Sequence, residues 1–271
     1  MSDAYENRSY VPGFKSITAR WRASADAVRN ALGPRCERLA YDVAPRNHLF
    51  MMWPPGDAPP QGLLFFIHGG YWRSFEAADF LQMGAGALAR RFAVAMPSYR
   101  LAPEVTLPEI TADIAAALTF AGNRASGPII LAGHSAGGHL ACRMASASMP
   151  LGAKLAARIV HVVTISGLHD LRPLLFTDKN ADLGLDDRTA VEESPALDRP
   201  RDGTRLTVWV GADERPEFRR QSALIANAWH GLGAAVRLVI APGRHHFDVI
   251  DPLENPESAL TNALFDGVLE P

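Results

Sequence analysis

Short apolar runs of strand length alternate along this chain with longer segments of helical periodicity, and this alternation constrains the fold most strongly. From residue 63 onward the runs are nearly continuous in apolar side chains. Strands that are buried on both faces need apolar residues at nearly every position. Strands alternating with helices form βα units around a mostly parallel sheet. The sequence therefore predicts an α/β fold with a mostly parallel eight-stranded sheet and helices on both faces.

The apolar runs and helical periods also predict where the individual elements lie. Strands are predicted over residues 38–43, 48–53, 63–68, 93–97, 129–132, 159–165, 206–210 and 236–241. The first two are more mixed in polarity and suit an antiparallel hairpin at the sheet edge. Helices are predicted over residues 17–32, 77–91, 107–123, 138–149, 217–232 and 256–269. Gly33-Pro34 is a common helix stop and closes the first of these.

The length and segment order predict one domain over residues 1–271, with two additions to the sheet. A helical extension covers about residues 1–35. Residues 168–203 mix acidic residues, prolines and short apolar pieces, which predicts loops and small helices in a cap-like insertion. Such insertions commonly cover an active site, although a mobile surface excursion is the alternative.

Charge and composition exclude several classes of function. The chain has 27 lysines and arginines against 29 aspartates and glutamates, a net charge of −2, so it lacks the basic surface expected of a nucleic-acid-binding protein. Its 2 cysteines form neither a disulfide framework nor a CxxC metal motif. No apolar run is long enough to span a membrane, and the first residues do not resemble a signal peptide. We therefore expect a cytoplasmic protein that acts on a small molecule, and we find no signal for its oligomeric state.

The segment Gly133-His134-Ser135-Ala136-Gly137 carries the strongest chemical signal. It follows a predicted strand and precedes a helix, which is the setting of a nucleophile elbow. The serine of such an elbow lies on a strained turn, and glycines two residues away on each side remove Cβ atoms that would clash. The helix N-terminus directs backbone N–H groups at developing negative charge. Ser135 is therefore a candidate nucleophile, with a glycine-rich turn of no catalytic role as the alternative.

A second motif, His68-Gly69-Gly70-Tyr71-Trp72, follows the third predicted strand. A nucleophilic serine needs an oxyanion hole, and adjacent glycines let backbone N–H groups approach the substrate oxygen. One donor would come from Gly69 or Gly70 and the other from Ala136, the residue after the serine.

The other three residues of this motif have less specific predicted roles. His68 is expected to shape the loop rather than to act as a base. Tyr71 and Trp72 are expected either to line a pocket for an acyl or aromatic group or to pack in the core.

A general base and an acid should follow the serine in the chain, in the order acid and then histidine. The pair His245-His246 follows the last predicted strand and supplies the base. Asp213 and Glu214 follow the seventh strand, and either carboxylate could orient an imidazole. Adjacent histidines rarely bind one metal ion together, so we predict no metal site and no cofactor.

Several of these motifs together resemble one enzyme family. The HGGYW and GHSAG segments, Pro216-Glu217-Phe218-Arg219-Arg220-Gln221 and His246-Phe247-Asp248-Val249-Ile250 resemble the kynurenine formamidase (arylformamidase) branch of the α/β-hydrolases. The segment Arg100-Leu101-Ala102-Pro103-Glu104 is similar to hormone-sensitive-lipase-like esterases. The resemblance covers most of the chain and includes Asn7-Arg8, Trp21 and residues 166–171.

The resemblance implies an α/β-hydrolase fold and a specific assignment of the site. Ser135 would be the nucleophile, His246 the base and Glu214 the acid, with Asp213 as the alternative because many family members have aspartate at this position. The implied reaction converts N-formylkynurenine to kynurenine and formate without a cofactor. A short-acyl carboxylesterase is the main alternative, and a non-catalytic binding protein on the same scaffold is a remote one.

Overall fold

One eight-stranded sheet organises the protein, whose computed structural model describes residues 1–268. The spatial order of the strands is β1-β2-β4-β3-β5-β6-β7-β8. Strand β2 pairs antiparallel with β1 and with β4, whereas β3 to β8 run parallel, as predicted. The strands are β1 (Cys36–Ala40), β2 (His48–Met52), β3 (Leu63–Ile67), β4 (Ala93–Pro97), β5 (Ile129–His134), β6 (Ile159–Ile165), β7 (Arg205–Gly211) and β8 (Ala235–Ala241).

Helices pack on both faces of this sheet, which explains the continuously apolar strands. Every residue of β2, β3, β4 and β5 is buried. Along β3, Leu63 and Phe65 belong to one hydrophobic cluster and Leu64 and Phe66 to the other, because successive side chains of a strand point to opposite faces. Each face therefore has its own core, and the site can form where the strands end.

Four of the six predicted helices correspond to the longer helices of the structure, and the other two are shorter than predicted. The α-helices are α1 (Phe14–Leu32), α2 (Ala85–Ala89), α3 (Leu107–Gly122), α4 (Ala136–Ala145), α5 (Ala153–Ala156), α6 (Asn180–Leu183), α7 (Asp187–Glu192), α8 (Pro216–Gly231) and α9 (Ala259–Leu264). The four longer ones are α1, α3, α4 and α8. Short 3₁₀ segments span Ser2–Tyr5, Arg8–Tyr10, Gly33–Arg35, Ala77–Asp79, Leu81–Gly84, Arg172–Phe176, Pro195–Leu197 and Asp248–Glu254. Among the described residues, no helix is long and apolar enough to cross a membrane.

Two predicted helices were wrong in extent. The helix predicted over residues 77–91 is instead two 3₁₀ turns followed by α2, and Gly84, which has low helix propensity, lies where the second 3₁₀ turn ends. A Cβ atom on Gly84 would lie 2.8 Å from Cε of Met52 in β2. The helix predicted over 256–269 shortens to α9, which begins where the Ser258 hydroxyl caps it by accepting the Thr261 N–H at 3.0 Å. Residue 269 lies outside the described residues.

The N-terminal extension and the insertion approach each other. Residues 168–203, the predicted insertion, contain α6, α7 and two 3₁₀ segments. An ion pair joins Arg73 to Asp182 of α6, and Lys179 of the insertion lies 3.8 Å from Glu6 of the N-terminal segment. Both additions therefore reach the region around the loop that follows β3.

Candidate active site

The turn between β5 and α4 holds Ser135 in a strained backbone conformation. Its φ is 55° and its ψ is −118°, which a non-glycine residue adopts only when its surroundings enforce it. Its N–H donates to the Ile165 carbonyl at 2.8 Å. A Cβ on Gly137 would lie 2.0 Å from the Ile67 carbonyl oxygen, and one on Gly133 would lie 2.1 Å from the carbonyl oxygen of Gly137. The two glycines of the motif are therefore required for this turn.

The loop after β3 runs directly beside the serine. A Cβ on Gly69 would lie 3.1 Å from Cβ of Ser135. Within residues 1–268, the backbone N–H groups of Gly69, Gly70 and Ala136 have no hydrogen-bond acceptor in the protein. Gly69 and Ala136 are buried, Gly70 is partly exposed, and Ala136 begins α4, whose first N–H groups have no partner within the helix. These three were the predicted oxyanion-hole donors.

The buried pair His246 and Glu214 lies at the ends of the last two strands. Nδ1 of His246 is 2.8 Å from Oε2 of Glu214, and their side chains are 5% and 0% exposed. The other carboxylate oxygen accepts the Gly211 N–H at 2.8 Å and the Ser166 hydroxyl. Because Nδ1 faces a carboxylate, the imidazole carries its proton there and leaves Nε2 as an acceptor.

Two aromatic neighbours fix the position of the His246 ring. Ring centroids lie 4.4 Å away for Phe218 and 4.8 Å away for His134. Nε2 of His134 also donates to the backbone carbonyl of His246 at 2.8 Å. Burial holds the pKa of His134 well below its usual value, so this ring is a neutral support.

The residues next to this pair point elsewhere. Asp213 is exposed, whereas Glu214 beside it is buried against His246. Nδ1 of His245 accepts the backbone N–H of Asp248 at 3.2 Å, so this ring folds back on its own turn. The fold therefore pairs Glu214, and not Asp213, with His246.

Ser135 and His246 line the same pocket, whose walls include five phenylalanine, tyrosine and tryptophan side chains. Tyr71 is part of these walls, and its hydroxyl donates to the Tyr5 carbonyl at 2.5 Å. Polar and charged residues from the N-terminal segment, the β3 loop and the insertion complete it. The other lining residues are Glu6, Asn7, Arg8, Trp21, Gly69, Gly70, Arg73, Phe75, Phe80, His134, Lys179 and Phe247.

Trp72 and His68 lie behind this pocket rather than in it. Trp72 is fully buried and packs edge-on against His139, with ring centroids 5.1 Å apart, so the core alternative describes it. His68 is stacked between Phe80 and Tyr99, and burial lowers its pKa to about 4. A neutral ring stacked in this way is suited to supporting the loop, the role expected of it from the sequence.

Reasoning from individual motifs missed several groups that the fold brings to the site. Ser166 follows β6, has a φ of 54° and contacts Glu214. Asn7 and Lys179 are far from Ser135 in sequence but line its pocket. The resemblance included the segments around Asn7 and Ser166, whereas Lys179 carried no signal of its own.

Comparisons with known proteins identify the fold family and two relatives of this chain. The profile of a family described as having the alpha/beta hydrolase fold matches residues 64–248. The kynurenine formamidase of Danio rerio is 27% identical over 95% of this chain and 87% of its own length. The corresponding enzyme of Salmo salar is 25% identical, with the same coverage.

Solved structures give the same result for the fold. A candidate thioesterase from Silicibacter sp. tm1040 is 44% identical and superposes with a TM-score of 0.92, covering 97% of this chain and 98% of that one. An esterase from Pyrobaculum calidifontis is 17% identical, with a TM-score of 0.72 and coverage of 94% of both chains. At that identity, the second comparison supports the shared fold alone.

Proposed function

Because the chain belongs to the α/β-hydrolase fold family, as its resemblance implied, we propose that it is a serine hydrolase that forms an acyl-enzyme. One observation carries the proposal: the strained Ser135 and the buried His246–Glu214 pair meet at a single pocket. An activated serine needs an oriented base, and Glu214 orients His246 in the pocket that Ser135 also lines.

The reaction begins when Oγ of Ser135 attacks the substrate carbonyl carbon and His246 takes the hydroxyl proton at Nε2. Glu214 holds the opposite ring nitrogen and stabilises the imidazolium that forms. The tetrahedral oxyanion accepts hydrogen bonds from the Ala136 N–H and from Gly69 or Gly70, whose donors have no acceptor in residues 1–268.

The bond to the leaving group then breaks, and His246 gives its proton to the departing nitrogen or oxygen. Water enters, His246 removes its proton, and the hydroxide formed attacks the acyl carbon. The second tetrahedral intermediate breaks its bond to Ser135, His246 returns the proton to Oγ of Ser135, and the carboxylic acid is released, so the cycle balances without a cofactor.

For the substrate, we propose an aryl formamide, with N-formylkynurenine as the leading candidate and kynurenine and formate as products. The curated kynurenine formamidases that match nearly the whole chain support this choice. The aromatic walls of the pocket, which include Tyr71, Phe80 and Phe247, also suit an aryl ring.

Cleavage of a short-acyl ester or thioester is the second candidate. The relative that is 44% identical is described as a candidate thioesterase, and the same triad chemistry cleaves both kinds of bond. In this case the pocket would hold the acyl or alcohol part of the ester instead of an anilide.

Steady-state hydrolysis of N-formylkynurenine, beside p-nitrophenyl acetate and butyrate, tests these alternatives, with Ser135→Ala as the blank. For a formamidase we expect kcat/KM for the formamide to reach about 10⁴ M⁻¹s⁻¹ and to exceed that for the esters. Fast ester cleavage with negligible formamide turnover would support the esterase instead. If a fluorophosphonate failed to label Ser135 in the folded protein, the serine mechanism would be rejected.

A further inference from the structure

The pocket has a polar side that the proposed hydrolysis does not use. Among its described lining residues, three are cationic, Arg8, Arg73 and Lys179, and one is a carboxylate, Glu6. Arg73 is paired with Asp182 outside the lining. The remaining excess of positive charge favours an anionic group in the pocket.

Lys179 is the most buried of these cations. Its side chain is 9% exposed, and its ammonium lies 3.8 Å from Glu6, beyond hydrogen-bond distance. The same ammonium lies 4.5 Å from the ring centroid of Tyr71. Within residues 1–268 this ammonium has no hydrogen-bond partner, so its three N–H donors are available to a ligand. Burial also lowers the pKa of Lys179.

Asn7 is a second residue of the pocket lining with a side-chain donor that has no hydrogen-bond partner in the described residues. The residue is 4% exposed, and its side-chain Nδ2 has no hydrogen-bond partner within residues 1–268. Asn7 and Lys179 line the same pocket as Ser135. An unpaired buried amide donor and an ammonium without a hydrogen-bond partner, in one pocket, are complementary to oxygen atoms that accept hydrogen bonds.

We propose that Lys179 and Asn7 bind a carboxylate on the leaving group of the substrate, an inference that rests on the proposed serine hydrolase function. A carboxylate accepts charge-assisted hydrogen bonds from the ammonium and a further bond from the amide. Arg8 is part of the same lining and adds to the attraction. The enzyme therefore selects aryl substrates that carry a carboxylate over neutral ones of the same shape.

Calorimetric binding to the Ser135→Ala protein tests this selection without turnover. The two ligands are N-formylkynurenine and its carboxamide, which differ only in the carboxylate. We expect the carboxamide to bind about 10 to 100 times more weakly, the range for lost hydrogen bonds to a charged group. In the Ser135→Ala background, Lys179→Met should abolish this preference and Lys179→Arg should retain much of it. Lys154→Met is the matched control, because Lys154 is an exposed lysine outside the pocket lining.

Equal binding of the two ligands, or binding of neither at millimolar concentration, would overturn the inference. A preference that survives both Lys179→Met and Asn7→Leu would overturn it as well. Asn7→Leu also serves as the second variant if Lys179→Met lowers the melting temperature. Wild-type turnover is measured separately, so a protein that binds the acid selectively but does not cleave the formamide would refute only the proposed formamidase activity.

Discussion

Replacing Glu214 with glutamine changes one group in the proposed triad and preserves its shape. The carboxylate accepts three hydrogen bonds, from His246, from the Gly211 N–H and from the Ser166 hydroxyl. If the amide oxygen keeps the last two, which share one carboxylate oxygen, the amide NH₂ faces Nδ1 of His246. Two donors cannot pair, so the imidazole proton must move to Nε2.

That tautomer has no acceptor for the Ser135 proton, which determines the expected loss. A wrong imidazole tautomer in a serine triad lowers kcat by about 10⁴-fold. This factor corresponds to about 5 kcal/mol of activation free energy. Because the Glu214 side chain is 0% exposed, water cannot replace the missing acceptor. We therefore expect Glu214→Gln to reduce kcat about 10⁴-fold while KM changes little.

The assay is steady-state cleavage of p-nitrophenyl acetate and N-formylkynurenine, with thermal melting as the check on folding. Asp213→Asn is the matched control, because Asp213 is the exposed neighbouring carboxylate and should stay within about twofold of the wild type. If Asp213→Asn abolished turnover in a folded protein while Glu214→Gln kept more than a tenth of it, the assignment of the acid would be refuted.

Two further predictions concern stability. Gly137→Ala should prevent folding or sharply lower the melting temperature, because the new Cβ would lie 2.0 Å from the Ile67 carbonyl oxygen. Gly152→Ala is the control: there is open space around Gly152, so this variant should melt within a few degrees of the wild type. Among the described residues, burial lowers the pKa of six histidines from 6.5 in the folded state: to about 4 for His68, to about 3 for His139 and His169, well below 6.5 for His134, and below 6.5 for His48 and His161. Below pH 6.5 the unfolded chain therefore binds more protons than the folded protein. For each ring, the free energy of unfolding should fall by up to about 1.4 kcal/mol per pH unit as the pH drops towards the pKa of that ring in the folded state. Urea unfolding at pH 7, 6 and 5 measures this loss, and an identical pH dependence in His139→Gln would contradict it.

The strands were the most predictable part of the fold. Strand β4 spans Ala93–Pro97 and β6 spans Ile159–Ile165, as predicted. A strand buried on both faces must be apolar throughout, so its sequence identifies it locally. The predicted helix over residues 77–91 failed because its shape depends on close packing of Gly84 against β2, which periodicity does not reveal.

The candidate site was predictable where a single turn determines it. The residues around Ser135 need glycine at two positions for steric reasons within a few residues of chain, so the motif is visible in sequence. The choice between Asp213 and Glu214 was different, because both are carboxylates after the same strand. The resemblance favoured Glu214, and only the structure showed its contact with His246.

The sequence by itself therefore determined the mostly parallel sheet, the elbow around Ser135 and the glycine loop beside it, because each depends on local sterics or on burial along one strand. Tertiary structure decided which carboxylate meets His246 and which aromatic of the HGGYW motif lines the pocket. It also brought Asn7 and Lys179 to the pocket of Ser135. Contacts between residues so distant in the chain depend on how complete elements pack, and no local pattern records that packing.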